Sequence, residues 1–319
     1  MRLFFNKLLY LIIMLFIISL ISFIAINAAP NSFFASGELN PNITEESIAQ
    51  LKAVYGLDKP LYIQFFSWLT AIIQLDFGIS FASGEMVKTE ILDRIPITLT
   101  INIISMFLIF VISLYLGIKS ALNKNSFFDK FTGQLSLLSF SMPSFYLALL
   151  SVLVFAIYFK VLPIAGLHSY PDDGSISYYL DFAWHLVLPI SIIVFGGIGS
   201  LTLYIRSLTI EILKSDYIFF AKSRGLDDKK ILRYYILPNL YPPVITLLGL
   251  SLPGIIGGSV ILESIFSIDG MGLLFYQSAL SHDYPVIMGI LIIGAFLTLI
   301  GNMFADLILL KLNPNYNGK

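Results

Sequence analysis

Six stretches of this chain contain no Asp, Glu, Lys or Arg: 8–37, 95–118, 131–159, 182–205, 234–262 and 284–305. A backbone that crosses hydrocarbon must satisfy its own N–H and C=O groups, and an α-helix of about 20 apolar residues does so over about 30 Å. Each run is long enough to supply one crossing. The pattern predicts an all-α integral membrane protein with six transmembrane helices, the first within 1–29 and five more within 95–313. The composition agrees, with 57% hydrophobic and 12% charged residues. A seventh run, 60–75, is shorter and is interrupted by Gln64, Ser67, Trp68 and Gln74. It reads as a helix lying at the membrane interface, where an indole is comfortable.

Arg2 and Lys7 precede the first apolar run, and Ala28-Ala29 resembles a signal cleavage site. The stretch from Leu8 to Ala29 exceeds the roughly 7 to 15 residues of a signal core, so an uncleaved anchor is expected. Cysteine is absent, which removes disulfides and thiolate metal sites. His168, His185 and His282 are far apart without metal-ligand spacing, and each reads as a loop or interface histidine. No phosphate-cradling G-x-x-x-x-G-K-[ST] loop occurs, so any ATPase must be a separate subunit. No metal, cofactor or catalytic residue is expected on this chain, and nothing suggests nucleic-acid binding. A membrane-embedded protease needs a nucleophile and a base, and the faint pair His185 and Ser191 lies on different helix faces.

Loops rich in Lys and Arg stay in the cytoplasm. With the N-terminus inside, fourteen basic residues fall on the inner side, and five (Lys52, Lys59, Lys88, Arg94 and Lys160) on the outer side. Both termini, including the tail 314–319, are therefore expected in the cytoplasm. The outer loop 30–94 forms a small cap. Thr44 can start a short helix through Ile48, Leu51 and Val54 to Gly56, while Asp76-Phe77-Gly78 and Ser83-Gly84 read as turns.

The inner stretch 206–233 packs seven basic and four acidic residues between two apolar runs. Asp216 to Ser223 can form a short helix, and Gly225 is free to take positive φ. Asp227 or Asp228 can cap a second helix through Lys229, Ile231, Leu232 and Tyr235. Pro238 follows, where continuing the helix would lose a hydrogen bond and clash with the preceding turn. Two short helices meeting at a glycine make a stiff knob.

At these residues the chain resembles the permeases of ATP-binding cassette importers, whose inner-loop pattern is roughly E-A-A-x-x-x-G-x9-I-x-L-P. Ala221, Gly225, Leu237 and Pro238 fall in register, while Phe219, Phe220 and Tyr235 replace the acidic residue, the following alanine and the isoleucine. The resemblance extends along nearly the whole chain toward the dipeptide, oligopeptide and nickel branch. It is carried by Tyr55-Gly56-Leu57-Asp58-Lys59-Pro60, Asp76-Phe77-Gly78-Ile79-Ser80, Met142-Pro143-Ser144-Phe145, Gly257-Gly258-Ser259-Val260 with Glu263-Ser264-Ile265-Phe266, Gly270-Met271-Gly272, His282-Asp283-Tyr284-Pro285 and Asn302 through Asp306 to Asn313-Pro314. Within the branch, an outer loop of this size looks like the first of two paired permeases.

The resemblance implies a type I importer transmembrane domain in a bacterial or archaeal cell (inner) membrane. It would be paired with a second related permease, two cytoplasmic ATPase subunits that bind ATP and magnesium, and an extracytoplasmic solute-binding protein. The loop 214–238 would sit in an ATPase groove, with Asp216, Tyr217, Ala221, Lys222, Arg224, Gly225, Leu226, Leu237 and Pro238 as coupling residues. Ala221 either touches the ATPase or faces its own bundle. Lys222, Arg224, Lys229 and Lys230 either pair with acidic ATPase residues or are solvated, membrane-proximal charge. The cargo path would draw on Ser141, Pro143, Ser144, Pro253, Gly257, Gly258 and Glu263, where Met142-Pro143 kinks or interrupts the third span and the fifth-span glycines also suit plain helix packing. Glu263 serves an outer gate or docking surface, or is an interfacial carboxylate pointing to water. Asn102 and Asn302 line the path or join helices, and Asp306 pairs with a basic group of the bundle. Cargo is expected to be peptide, with chelated nickel open because His168 and His282 suit it. An ion-coupled secondary transporter is the alternative, and it would need more spans or a repeat.

Overall fold

The computed structural model describes residues 2–28, 59–256 and 260–312. Twelve α-helices occur among them. In chain order these are α1 (Arg2–Ala28), α2 (Leu61–Ile73), α3 (Val87–Leu122), α4 (Phe127–Ser141), α5 (Ser144–Ser151), α6 (Ile176–Leu213), α7 (Asp216–Ser223), α8 (Asp228–Ile231), α9 (Leu237–Ile256), α10 (Val260–Ile265), α11 (Met271–Leu280) and α12 (Tyr284–Leu312). Among the described residues no strand forms, only an isolated antiparallel bridge between Ile79 and Met86. The expected helix from Thr44 to Gly56, Gly257-Gly258 and the tail after Leu312 lie outside the described residues.

Three helices are long and apolar enough to cross a membrane, namely α3, α6 and α12 over Tyr284–Met303, and a broken pair makes a fourth. Among the described residues this gives three candidate crossings, or four if the bent pair is counted as one span, against the six expected. The broken pair is α4 with α5, the latter running on as π-helix through Val152–Tyr158, bent by 100°. The cause is Pro143, which pushes Met142 into an extended conformation (φ −90°, ψ 126°) and ends α4 there. The predicted run 131–159 is therefore two helices rather than one rod.

One compact unit comprises residues 1–98, 256–260 and 269–300. Phe23 of α1 and Phe65 of α2 meet edge to face at 5.4 Å and share a buried cluster with Met288 of α12. The turns at Gly78 (φ +81°) and Gly84 (φ +79°) take the left-handed conformation that glycine permits. Between them the loop is tied down by Asp283, whose Oδ2 accepts from the Ser80 hydroxyl at 2.6 Å and the Ala82 N–H at 3.0 Å. Val87 and Ile91 of α3 then pack on Met271 and Leu274 of α11 and on Val286 and Ile290 of α12. Gly270 offers α11 no side-chain cap, and the Thr98 hydroxyl accepts the Met271 N–H at 2.9 Å instead.

The second unit comprises 99–255, 261–268 and 301–319. Its main seam is α4 against α6, where small and hydroxylated residues let backbones touch. A Cβ at Gly199 would collide with the Ser136 carbonyl and the Phe140 N–H, while Ser139 donates to the Phe195 carbonyl. At Gly197 the obstacle is only the flexible end of Ile109. Gly199→Ala should therefore force the helices apart and destabilise the chain by about 1–3 kcal/mol, whereas Gly197→Ala should be nearly silent because a side chain yields where backbone cannot. Thermal denaturation of the two purified variants tests this; equal midpoints would contradict the seam.

Candidate functional site

The inner stretch folds as an elbow whose geometry follows from its sequence. α7 ends in a Schellman turn, in which Gly225 N–H donates to the Lys222 carbonyl at 2.9 Å and Leu226 N–H to the Ala221 carbonyl at 3.3 Å. Gly225 sits at φ +77°. Asp227 then caps α8, its carboxylate accepting from Lys230 N–H at 3.3 Å. These are the helix, glycine turn and cap that the residues predict.

Pro238 does not end the second helix. α8 continues through a π-helical segment, Leu232–Ile236, directly into α9. The wider π turn just ahead of the proline loosens the ladder where a strict α-helix would clash with the ring and want its missing N–H.

The elbow has a core of its own. Ile218, Ala221, Ile231, Ile236 and Leu240 are each at most 3% exposed and pack with Leu208, Ile212 and Leu213 of α6 and Ile118 of α3. Burying each branched side chain is worth about 1.5–3 kcal/mol, so the elbow is held to its parent helices by several such contributions. Ala221 points into this core, so of its two readings the inward one holds. The outward face carries Tyr217, Phe219 and Phe220, with Phe219 and Phe220 69% and 62% exposed. Asp216, Lys222, Arg224, Lys229 and Lys230 are also exposed, whereas Leu226 and Leu237 are partly buried.

An ionic lock at the root of the elbow is absent from the sequence reading. Arg206 of α6 makes a two-pronged contact with Asp129 of α4, Nε to Oδ1 at 2.6 Å and Nη2 to Oδ2 at 2.8 Å. Ser120 of α3 donates to the same carboxylate, as does the Asn125 N–H at 2.9 Å. Asp129 is 5% exposed, and a carboxylate can be held there only because four donors face it. The signal was available in part: Ser126 three residues before Asp129 is a helix start, and Arg206 ends a charge-free run.

Of the residues expected along a cargo path, Gly257 and Gly258 lie outside the described residues. Ser141, Pro143 and Ser144 are exposed at the α4–α5 break, and the Ser141 hydroxyl bonds its own helix at Leu137. Pro253 lies in α9. Glu263 is 4% exposed in α10, so it is no carboxylate pointing to water. Asn102, by contrast, lines a cavity of about 570 Å³ within the second unit, formed by one face each of α3, α6 and α9.

The histidines fall as loop and helix residues. His168 stacks on Tyr178 at 3.8 Å, and His185 lies with Nδ1 2.8 Å from the Asp181 carbonyl. Among the described residues no cluster of three metal-ligating side chains exists.

The chain matches two family models. Residues 109–318 match the binding-protein-dependent transport system inner membrane component, and residues 1–102 match the N-terminal membrane component of such systems. It is 34% identical over 298 residues to the oligopeptide transport system permease protein AppB of Bacillus subtilis, covering 93% of each chain. With the oligopeptide permease protein OppB of Haemophilus influenzae it shares 33% over 97% of each. The dipeptide permease protein DppB of Lactococcus lactis is 31% identical over 95% of each. Among solved structures, a chain of the MetNI methionine ABC transporter in inward-facing conformation superposes with a TM-score of 0.57 at 16% identity, over 70% of this chain and 96% of that one. That likeness is one of fold. The chain is an integral membrane protein and belongs to the family of binding-protein-dependent transport system inner membrane components.

Proposed function

We propose that this chain is the transmembrane permease subunit of an ATP-driven importer that translocates peptides delivered by an extracytoplasmic binding protein. Its partners are a second related permease and two cytoplasmic ATPase subunits, and both termini are cytoplasmic. The observation that carries this reading is the elbow, a packed structure with a rigid inner core and a projecting aromatic and basic face, on a chain whose relatives are named as oligopeptide and dipeptide permeases. The elbow seats in an ATPase groove through Asp216, Tyr217, Lys222 and Arg224. Gly225, Leu226, Leu237 and Pro238 fix its angle, and Ala221 fills its core. A nucleotide-driven stroke of the ATPases then swings α6 and α9 together. This chain moves cargo and leaves ATP and magnesium to its partners.

The test is reconstitution of the four membrane and ATPase subunits in liposomes with the binding protein. ATP-dependent uptake of a labelled peptide is expected. ATP-dependent uptake of chelated nickel with no peptide uptake would overturn the peptide assignment, and uptake driven by an ion gradient without ATP would overturn the importer.

A further inference from the structure

The turn that joins α3 to α4 gathers positive charge. Lys119, Lys124 and Lys130 are exposed there, and among the described residues no carboxylate pairs with any of them. Between residues 115 and 134 the single acid is Asp129, which is buried and spent on Arg206. The corner therefore keeps three cations without counter-charge from its own stretch of chain. Its backbone is held in place. Asn125 takes φ +67°, which Asn tolerates, and donates its N–H to Asp129, while Asn123 Nδ2 donates to the Lys119 carbonyl at 2.9 Å. The Lys119 ammonium lies 4.6 Å from the Phe128 ring centroid and donates to the Tyr115 hydroxyl at 2.8 Å, which leaves it further protons to give.

The same corner stands at the edge of the hydrocarbon. The charge-free run 95–118 ends immediately before Lys119, and the run 131–159 begins immediately after Lys130. On α4, Phe127, Lys130, Phe131, Gln134 and Leu138 recur at helical spacing and share one exposed face. Phe127 and Phe131 are 85% and 52% exposed and stack with centroids 6.3 Å apart. Aromatic side chains and lysine stems suit this level of a bilayer, where apolar parts meet acyl chain and ammonium groups reach the headgroups.

We infer that this corner binds the headgroup of an anionic phospholipid, with Lys119, Lys124 and Lys130 supplying the counter-charge and the Phe127–Phe131 face lying against an acyl chain. A zwitterionic headgroup brings an ammonium of its own, which the lysines repel, so the site selects lipid by net headgroup charge. The inference holds whatever the chain transports. It also bears on the lock, because Lys119 and Lys130 are the chain neighbours of Ser120 and Asp129. A bound phosphate offsets the repulsion among cations gathered beside that contact.

Phe131→Trp places a fluorescent reporter on this face, and the emission of the parent chain, which has two tryptophans, is subtracted. The full-length chain is placed in nanodiscs of zwitterionic lipid in which a small, fixed share of the lipid is brominated, as either phosphatidylglycerol or phosphatidylcholine. Brominated phosphatidylglycerol should quench the reporter about threefold more strongly or better. Substituting Lys119→Gln, Lys124→Gln and Lys130→Gln together should abolish the difference. The same loss of charge on the elbow, at Lys222, Lys229 and Lys230, should leave it intact. Lys124→Gln alone, at an unpaired side chain on the turn, should weaken the difference and serves if the triple variant fails to fold. Millimolar inorganic phosphate, set against chloride at equal ionic strength, should not displace the lipid. Equal quenching by the two lipids, or a preference that survives both the triple and the single substitution, would overturn the site. So would a preference lost with the elbow charges, displacement by free phosphate, or disappearance of the preference once partner subunits assemble on the chain, which would give this face to a protein.

Discussion

Gly225→Val should lower peptide uptake by roughly tenfold or more while the chain still inserts and assembles. At Gly225 an added Cβ meets nothing within 4 Å, so there is room for a side chain. The obstacle is the backbone: φ is +77°, a left-handed conformation that costs a chiral residue about 1–2 kcal/mol and a β-branched one more. A shift of that size changes the population of the native turn by roughly five- to thirtyfold. Without the turn, Leu226 leaves its contact on the elbow core and α8 loses its fixed angle to α7. Gly225→Asn, which tolerates the left-handed region, should retain most uptake. The pair separates conformation from bulk. ATP hydrolysis that continues while uptake falls marks uncoupling, whereas normal uptake by the valine variant would remove the turn from the mechanism.

The second large effect is expected at the lock. Asp129→Ala leaves Arg206 facing a pocket built for a carboxylate, and breaking one side of such a pair costs about 3 kcal/mol, at the lower end of the usual range because the Arg206 side chain keeps 27% of its exposure. The purified chain should melt roughly 5 °C lower. Replacing both partners, Asp129→Ala with Arg206→Met, should recover most of that loss, since no uncompensated charge remains. If the double variant is as unstable as the single one, the contact is not the source of the effect. The lock also matters for motion, because it ties α6, the helix that carries the elbow, to α4 and α3 at the point where the stroke enters. Uptake should fall in the single variant further than its stability alone explains at low temperature.

What could be read before folding divides along physical lines. Charge-free runs and local signals, such as a capping aspartate, a glycine needing positive φ or a proline that forces its predecessor extended, act over a few residues. They placed α7 to the residue and the Gly225 turn with it, and narrowed the cap of α8 to Asp227 or Asp228. The π segment before Pro238 was hidden because it is a compromise between the proline and the continuity that Ile236 and Leu240 gain by staying in the core. The Asp129–Arg206 lock joins residues 77 positions apart, and no local pattern states which distant cation a buried acid will meet. The cavity was missed for the same reason. Asn102 alone was singled out as a lining candidate, while Ser200 and Tyr204 are unremarkable on their own helix and join it as a wall only when α3 and α6 are side by side.

The most direct test of the central claim is the sidedness and partner of the elbow itself. Lys222 is exposed on α7, and Lys222→Cys gives the chain a single thiol at that surface. In intact cells a membrane-impermeant thiol reagent should leave it unlabelled. In inside-out vesicles stripped of ATPase it should label fully, and re-adding the ATPases should protect it. Labelling from outside the cell, or labelling inside that the ATPases do not change, would contradict the account.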